Sequence, residues 1–164
     1  MKQLILIRHA KAVADSLHLH DFDRVLHSLG EQDASLMGEK LACKNLTIDA
    51  IISSPAARAK STAQLIATQL NFPLQNIQFQ PLIYEASTRR LFQIACDLEN
   101  EWKTVILVGH NPAFHDLANH LLGKYLSDFP TCAVCALNFE IETWNNLQIN
   151  SGQLVFFEIP TNKG

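Results

Sequence analysis

Residues 3–10 read QLILIRHA. The apolar run of residues 4–7 is followed directly by Arg8 and His9. A short continuous apolar run is typical of a strand buried on both faces of a parallel sheet. The polar pair then falls at the carboxyl end of that strand, where open α/β sheets bind their ligands. This stretch therefore predicts a layered α/β fold and marks one part of its functional site.

Polar residues follow two further predicted strands in the same way. A short strand over 49–53 leads into residues 53–55 (SSP), with Arg58 one helical turn further on. A clearer strand over 104–108 leads into residues 109–112 (GHNP). Because proline suits the first turn of a helix, each of these segments predicts a helix start directly after the strand.

The rest of the chain continues this alternation. We expect helices over 31–46, 55–70, 88–98 and 112–122, a polar segment over 14–29, an extended region over 77–84, and late strands near 135–141 and 154–159. Alternating strands and helices predict a three-layer α/β/α sandwich around a central, largely parallel sheet. A chain of 164 residues fits one domain of about 100–200 residues, so we expect a single domain over 1–164.

Composition excludes several classes of protein. The chain is 48% hydrophobic and 18% charged, which allows a sizeable core and argues against disorder. Its net charge of -3 gives no broad attraction to nucleic acid or to an anionic membrane. No apolar stretch resembles a signal peptide or a membrane span, so we expect a cytoplasmic protein. We expect all four cysteines to be reduced, buried thiols (Cys43, Cys96, Cys132 and Cys135).

The three strand ends together carry two arginines and two histidines. Arginine presents a planar, permanently charged fork that matches phosphate oxygens, and the N-terminus of a helix also favours an anion. The set Arg8, His9, Arg58 and His110 therefore predicts a pocket for a phosphoryl group.

One of these histidines can also react. A neutral imidazole is a competent nucleophile toward phosphorus, and the positive charges of Arg8 and Arg58 should disfavour protonation of His9. We expect His9 to accept the phosphoryl group and water to free it as orthophosphate. This scheme needs no metal and no other cofactor.

These motifs resemble the histidine phosphatase superfamily, also called the phosphoglycerate mutase-like family. The motifs are residues 6–10 (LIRHA), 53–59 (SSPAARA) and 108–112 (VGHNP), and the resemblance spans roughly residues 1–122. Ala10 replaces the usual glycine, which is similar to the small SixA-type branch of phosphohistidine phosphatases. That branch also shows a stretch like residues 21–24 (DFDR). The resemblance implies His9 as nucleophile and a phosphate pocket completed by Arg8, Arg58 and His110.

Three further residues are candidates for the site. In larger members of this family an acidic residue in the region of Glu85 protonates the leaving oxygen, so Glu85 is either the proton donor or a helix N-cap. Arg24 either reaches the substrate or pairs with Asp21 or Asp23. Asn111 follows His110 and is a candidate for substrate binding.

The chain leaves little room for a lid between residues 70 and 84. A shallow pocket suits a phosphohistidine on a partner protein, which is our leading hypothesis. Two alternatives remain: a phosphatase for small phosphomonoesters with Glu85 as general acid, and a noncatalytic module that binds phosphorylated partners. The spacing of Cys132 and Cys135 fits a redox or zinc motif, but no second pair accompanies it, and no set of metal ligands is evident.

Overall fold

The apolar run of residues 4–7 lies inside a six-stranded sheet. The computed structural model describes residues 1–14 and 19–160. The strands follow the spatial order β3-β2-β4-β1-β5-β6. Their bounds are Lys2–Arg8 (β1), Ala50–Ser53 (β2), Gln78–Phe79 (β3), Thr104–Gly109 (β4), Val134–Phe139 (β5) and Gln153–Glu158 (β6). The first four strands of this order pair in parallel, whereas β5 is antiparallel to both β1 and β6. The largely parallel sheet is confirmed.

Two helices cover each face of the sheet. The helices are Ser28–Ala42 (α1), Ala57–Gln69 (α2), Thr88–Cys96 (α3) and Ala113–Leu122 (α4). Successive side chains of β1 point to opposite faces, so Ile5 and Ile7 pack in the cluster of α1 and α2. Leu4 and Leu6 pack in the cluster of α3 and α4 on the other side. The predicted three-layer sandwich is confirmed, with a core on each side of the sheet.

Helix α1 begins earlier than the sequence pattern predicts. It starts at Ser28 and ends at Ala42, whereas the prediction ran over 31–46. The Nδ1 atom of His27 accepts a hydrogen bond from the amide of Leu29 (3.0 Å) and caps the helix. Histidine is not among the residues that usually signal an N-cap, which explains the missed start.

Other boundaries also differ from the prediction. Pro55 lies just before α2 rather than in its first turn, because the helix begins at Ala57. The expected extended region over 77–84 contains only the short β3, followed by a 3₁₀ turn at Pro81–Ile83. Residues 15–18 of the predicted polar segment, including His18, lie outside the described residues.

The prediction for the cysteines is wrong in part. Cys132 and Cys135 are buried, but Cys96 is only partly covered and Cys43 is exposed after the last turn of α1. Among residues 1–14 and 19–160, no helix combines the length and the apolar character that crossing a bilayer demands.

Candidate active site

The three polar strand ends meet at one edge of the sheet. Arg8 lies opposite Gly109 in the parallel register, and Ser53 lies opposite Val108. The ladder continues for one more residue on each side, because the His9 amide donates to Gly109 and the Ser54 amide donates to Val108 (both 3.0 Å). Strand pairing therefore sets the catalytic candidates side by side.

The imidazoles of His9 and His110 lie close together in this edge. Their ring centroids are 5.2 Å apart, and the Nε atom of Arg58 lies 3.4 Å from Nε2 of His9. The juxtaposition that the sequence predicts is present in the structure.

The surroundings of His9 fix the state of its ring. Nδ1 lies 2.7 Å from the carbonyl oxygen of Ala10, and a carbonyl only accepts, so Nδ1 carries the proton. Nε2 therefore holds the lone pair, which accepts the Arg58 Nε–H. Burial is the main cause that lowers the pKa of His9 to about 3. The hydrogen bond to the Ala10 carbonyl opposes this shift, and the charges of His110, Arg58 and Arg8 add smaller effects that lower the pKa. These effects favour the neutral ring that the sequence predicts, and burial contributes more to them than the arginines do.

The backbone around His9 is held from two sides. The Ala10 amide donates to Oγ1 of Thr62 (2.9 Å), and that hydroxyl donates to the carbonyl of Arg58 (2.7 Å). From the other side, the amide of Cys132 donates to the carbonyl of His9 (3.0 Å). Thr62 thus ties the His9 loop to the first turns of α2, a role that the sequence analysis missed, although its i+4 spacing from Arg58 is visible in the sequence.

Ser54 positions the second histidine. The Ser54 hydroxyl oxygen lies 2.8 Å from Nε2 of His110 and also accepts from the amide of Ala56 (3.1 Å). Burial is the main cause that lowers the pKa of His110 to about 4, with Arg58 next. Nδ1 of His110 is buried and has no hydrogen-bond partner among the described residues.

Arg8 and Asn111 share an anchor that the sequence analysis did not identify. The carbonyl oxygen of Phe129 accepts from Nη1 of Arg8 (3.2 Å) and from Nδ2 of Asn111 (2.8 Å). Within the described part of the chain, Nε of Arg8 and Oδ1 of Asn111 are buried without a partner. Buried donors normally find partners, so the unpaired Nε–H of Arg8 is suited to an oxyanion, and so is Nδ1 of His110 when it carries a proton.

A carboxylate lies at the rim of the site. Oδ2 of Asp21 accepts from Nη2 of Arg58 (3.0 Å) and from the hydroxyl of Tyr84 (2.7 Å), while Oδ1 accepts from Arg24 (3.0 Å). The hydrogen bond from Tyr84 is the main cause of a pKa well below the usual range for Asp21. Burial, followed by the bond to Asp21, raises the pKa of Tyr84 to about 12. Of the two expectations for Arg24, pairing with Asp21 is the one observed.

Glu85 takes part in none of these hydrogen bonds, although its charge helps to raise the pKa of the neighbouring Tyr84. It is exposed, adopts a positive φ of 59°, and makes no hydrogen bond or ion pair with the described residues. The alternative that Glu85 caps α3 is wrong, because the Ser87 side chain accepts from the amide of Arg90 and forms that cap.

The remaining candidate motifs stay outside the site. Burial raises the pKa of both Cys132 and Cys135 to about 12, so these thiols are protonated near neutral pH. In the described ranges, no three His, Cys, Asp or Glu side chains are grouped so that they could hold a metal ion.

Comparison with known proteins gives one consistent family. The family model of the histidine phosphatase superfamily (branch 1) matches residues 4–88. An uncharacterized chloroplast protein of Arabidopsis thaliana is 29% identical over 160 residues, which cover 92% of this chain and 72% of that protein. The serine/threonine-protein phosphatase PGAM5 of Xenopus laevis is 27% identical over 177 residues, which cover 98% of this chain but only 62% of PGAM5.

The fold has a close counterpart among solved structures. The structure from Agrobacterium tumefaciens that carries the name phosphohistidine phosphatase SixA superimposes with a TM-score of 0.84. The two chains are 27% identical, and the superposition covers 97% of this chain and 98% of the other.

Proposed function

The chain belongs to the histidine phosphatase superfamily, and from this membership we propose that it is a phosphatase that works through a phosphoryl group on Nε2 of His9. The observation that carries the proposal is the state of that nitrogen. The proton of the neutral ring is on Nδ1, which donates a hydrogen bond to the Ala10 carbonyl, so Nε2 carries a lone pair and no proton. The ring is buried and neutral, and a guanidinium lies beside the atom that reacts.

The chemistry has two displacements at phosphorus. Nε2 of His9 attacks phosphorus as the bond to the leaving group breaks, and the negative charge spreads over the equatorial oxygens. Arg8, Arg58 and His110 stabilise this charge with donors that are already in place before the reaction. Water then attacks the phosphoenzyme, the P–N bond breaks, and orthophosphate leaves. No step in this scheme is assigned to a metal or to a cofactor.

We propose phosphohistidine on a partner protein as the substrate. Residues 70–87, which join α2 to α3, form only β3 and two 3₁₀ turns, so this connection inserts no lid. The rim is accessible, since the side chain of Asp21 is 46% exposed. A phosphohistidine leaves as imidazole, which needs little help from a general acid. The resemblance to the protein named SixA supports the same substrate class.

A second candidate is a phosphate ester of serine or threonine on a protein. The name of the PGAM5 relatives favours this alternative. An alkoxide is a poor leaving group, so ester hydrolysis depends more strongly on a general acid.

Trapping the phosphoenzyme tests the proposal. The wild type, mixed with a radiolabelled histidine-phosphorylated protein and quenched in alkali, should carry acid-labile label that is absent in His9→Gln. His120→Gln, which changes an exposed histidine on α4, is the matched control and should be labelled like the wild type. Binding of inorganic phosphate without any labelling would favour a noncatalytic module instead. The ratio of kcat/KM for a phosphohistidine protein and a phosphoserine peptide decides between the two substrate classes.

A further inference from the structure

The carboxylate of Asp21 contacts Arg58 at the edge of the proposed phosphoryl site, yet the two displacements described above give it no role. Asp21 opens the 3₁₀ turn Asp21–Asp23 and lies 37 residues before Arg58 in sequence. Its Oδ2 atom accepts from both Arg58 and Tyr84. Ordinary surface ion pairs contribute little to stability, so these convergent contacts at the mouth of a reactive site point to another use.

One guanidinium connects this carboxylate to the nucleophile. Nε of Arg58 lies 3.4 Å from Nε2 of His9, and Nη2 of Arg58 lies 3.0 Å from Oδ2 of Asp21. His9 is at the floor with 8% exposure, whereas the Asp21 side chain at the rim is 46% exposed. A phosphoryl group on His9 therefore lies beside Arg58, with its outer face toward Asp21 and solvent.

The second displacement must use that outer face. Attacking and leaving atoms are roughly in line at phosphorus, so water that displaces the His9 imidazole approaches from the side opposite the floor. Among the described residues, the contact with Arg58 holds the Asp21 carboxylate at the solvent-exposed edge of the site, from which this water enters.

We propose that Asp21 is the general base for hydrolysis of the phosphoenzyme, an inference that rests on the proposed function. The water oxygen bonds to phosphorus while one water proton moves to a carboxylate oxygen of Asp21. The bond between phosphorus and Nε2 of His9 breaks, and its electron pair returns to the imidazole. Orthophosphate leaves, and Asp21 then releases the proton to solvent.

The groups around Asp21 favour this role. Arg58 from α2, Arg24 from the same loop and the Tyr84 hydroxyl keep the carboxylate ionised in the free protein, which is the form that accepts a proton, and they also lower its proton affinity. A phosphoryl group on His9 attracts the Arg58 guanidinium and so weakens its hold on Asp21. The phosphoryl group also places a negative charge near the carboxylate. Both effects raise the proton affinity of the Asp21 carboxylate when water attacks. The hydroxyl of Tyr84, whose ring lies 5.6 Å from that of His110, holds the carboxylate beside the site.

Replacing Asp21 by asparagine tests the inference. With a radiolabelled histidine-phosphorylated protein as substrate, Asp21→Asn should hydrolyse its phosphoenzyme about 100-fold more slowly than the wild type. Formation of the phosphoenzyme should change by less than about tenfold, so labelled His9 accumulates. Asp21→Glu, which keeps a carboxylate, should restore part of the hydrolysis rate. Asp23→Asn removes the same charge from an exposed position of the same turn and should behave like the wild type.

Several outcomes would overturn this role for Asp21. Equal slowing of both steps in Asp21→Asn, without accumulation of label, would show that Asp21 only positions Arg58. Accumulation in Glu85→Gln but not in Asp21→Asn would assign the base to Glu85. Label on the wild type and on Asp23→Asn at the same level as on Asp21→Asn would also reject the inference. Absence of label on every variant, wild type included, would reject the proposed function itself, and the role of Asp21 with it.

Discussion

Replacing His9 by glutamine should change how the stability of the fold depends on pH. The pKa of His9 is lowered from 6.5 to about 3 in the folded protein, mainly by burial, and that of His110 is lowered from 6.5 to about 4. Between these values the unfolded chain binds protons that the folded protein does not. Each imidazole thus contributes stability that is present above pH 6.5 and is lost as the pH falls.

The magnitude follows from the distance between the pH and the unfolded pKa. One pKa unit corresponds to about 1.36 kcal/mol, so lowering the pH from neutral to about 5 destabilises the fold by about 2 kcal/mol per buried imidazole. Both folded-state pKa values lie below pH 5, so neither histidine takes up a proton in the folded protein. The wild type should lose about 4 kcal/mol from this pair, and His9→Gln about half as much.

Urea unfolding measured at neutral pH and at about pH 5 gives the two free energies of unfolding for each variant. The comparison is between the losses on acidification, so a constant effect of the substitution on stability cancels. His120→Gln, which changes an exposed imidazole, should lose as much as the wild type. If His9→Gln also loses the full amount, then His9 is protonated in the folded protein near pH 5, and the argument for a neutral nucleophile fails.

Two further substitutions test the positions of neighbouring groups. Ser54→Ala removes the hydroxyl that lies 2.8 Å from Nε2 of His110. This substitution should lower kcat/KM about tenfold or more, because Nε2 of His110 loses its hydrogen-bond partner. The hydroxyl of Ser53 donates to a backbone carbonyl instead, so Ser53→Ala should change kcat/KM by less than about threefold. Equal losses of kcat/KM in the two variants would reject the role of Ser54. Gly30→Ala places a Cβ 2.1 Å from the carbonyl oxygen of Lys11 and should lower the free energy of unfolding by about 1–3 kcal/mol. Unchanged urea midpoints would contradict this contact.

Much of the fold could be predicted from local patterns. The continuous apolar runs before Arg8 and before Gly109 are typical of strands buried on both faces, and both form the middle of the sheet. Parallel strands present their carboxyl ends at one edge, so the juxtaposition of His9, Arg58 and His110 followed without coordinates. The hydrophobic pattern predicts the strands, and the polar residues that follow them predict the position of the site.

The details of the site depended on contacts between residues distant in sequence. Tyr84 and Asp21 are separated by 63 residues, and neither lies in a periodic pattern that predicts their hydrogen bond. The backbone carbonyl of Phe129 accepts hydrogen bonds from Arg8 and Asn111. Every residue type has such a carbonyl. Sequence patterns did not distinguish it from other carbonyls.

The sequence by itself determined the layers, the strand ends and the set of residues that we propose to bind phosphate, because local periodicity and residue chemistry specify them. Only the tertiary structure decided that His9 is neutral chiefly through burial, and that a carboxylate on a distant turn meets Arg58. Desolvation and long-range hydrogen bonds arise when separate segments pack together. Their strength is a property of the assembled site rather than of any one segment.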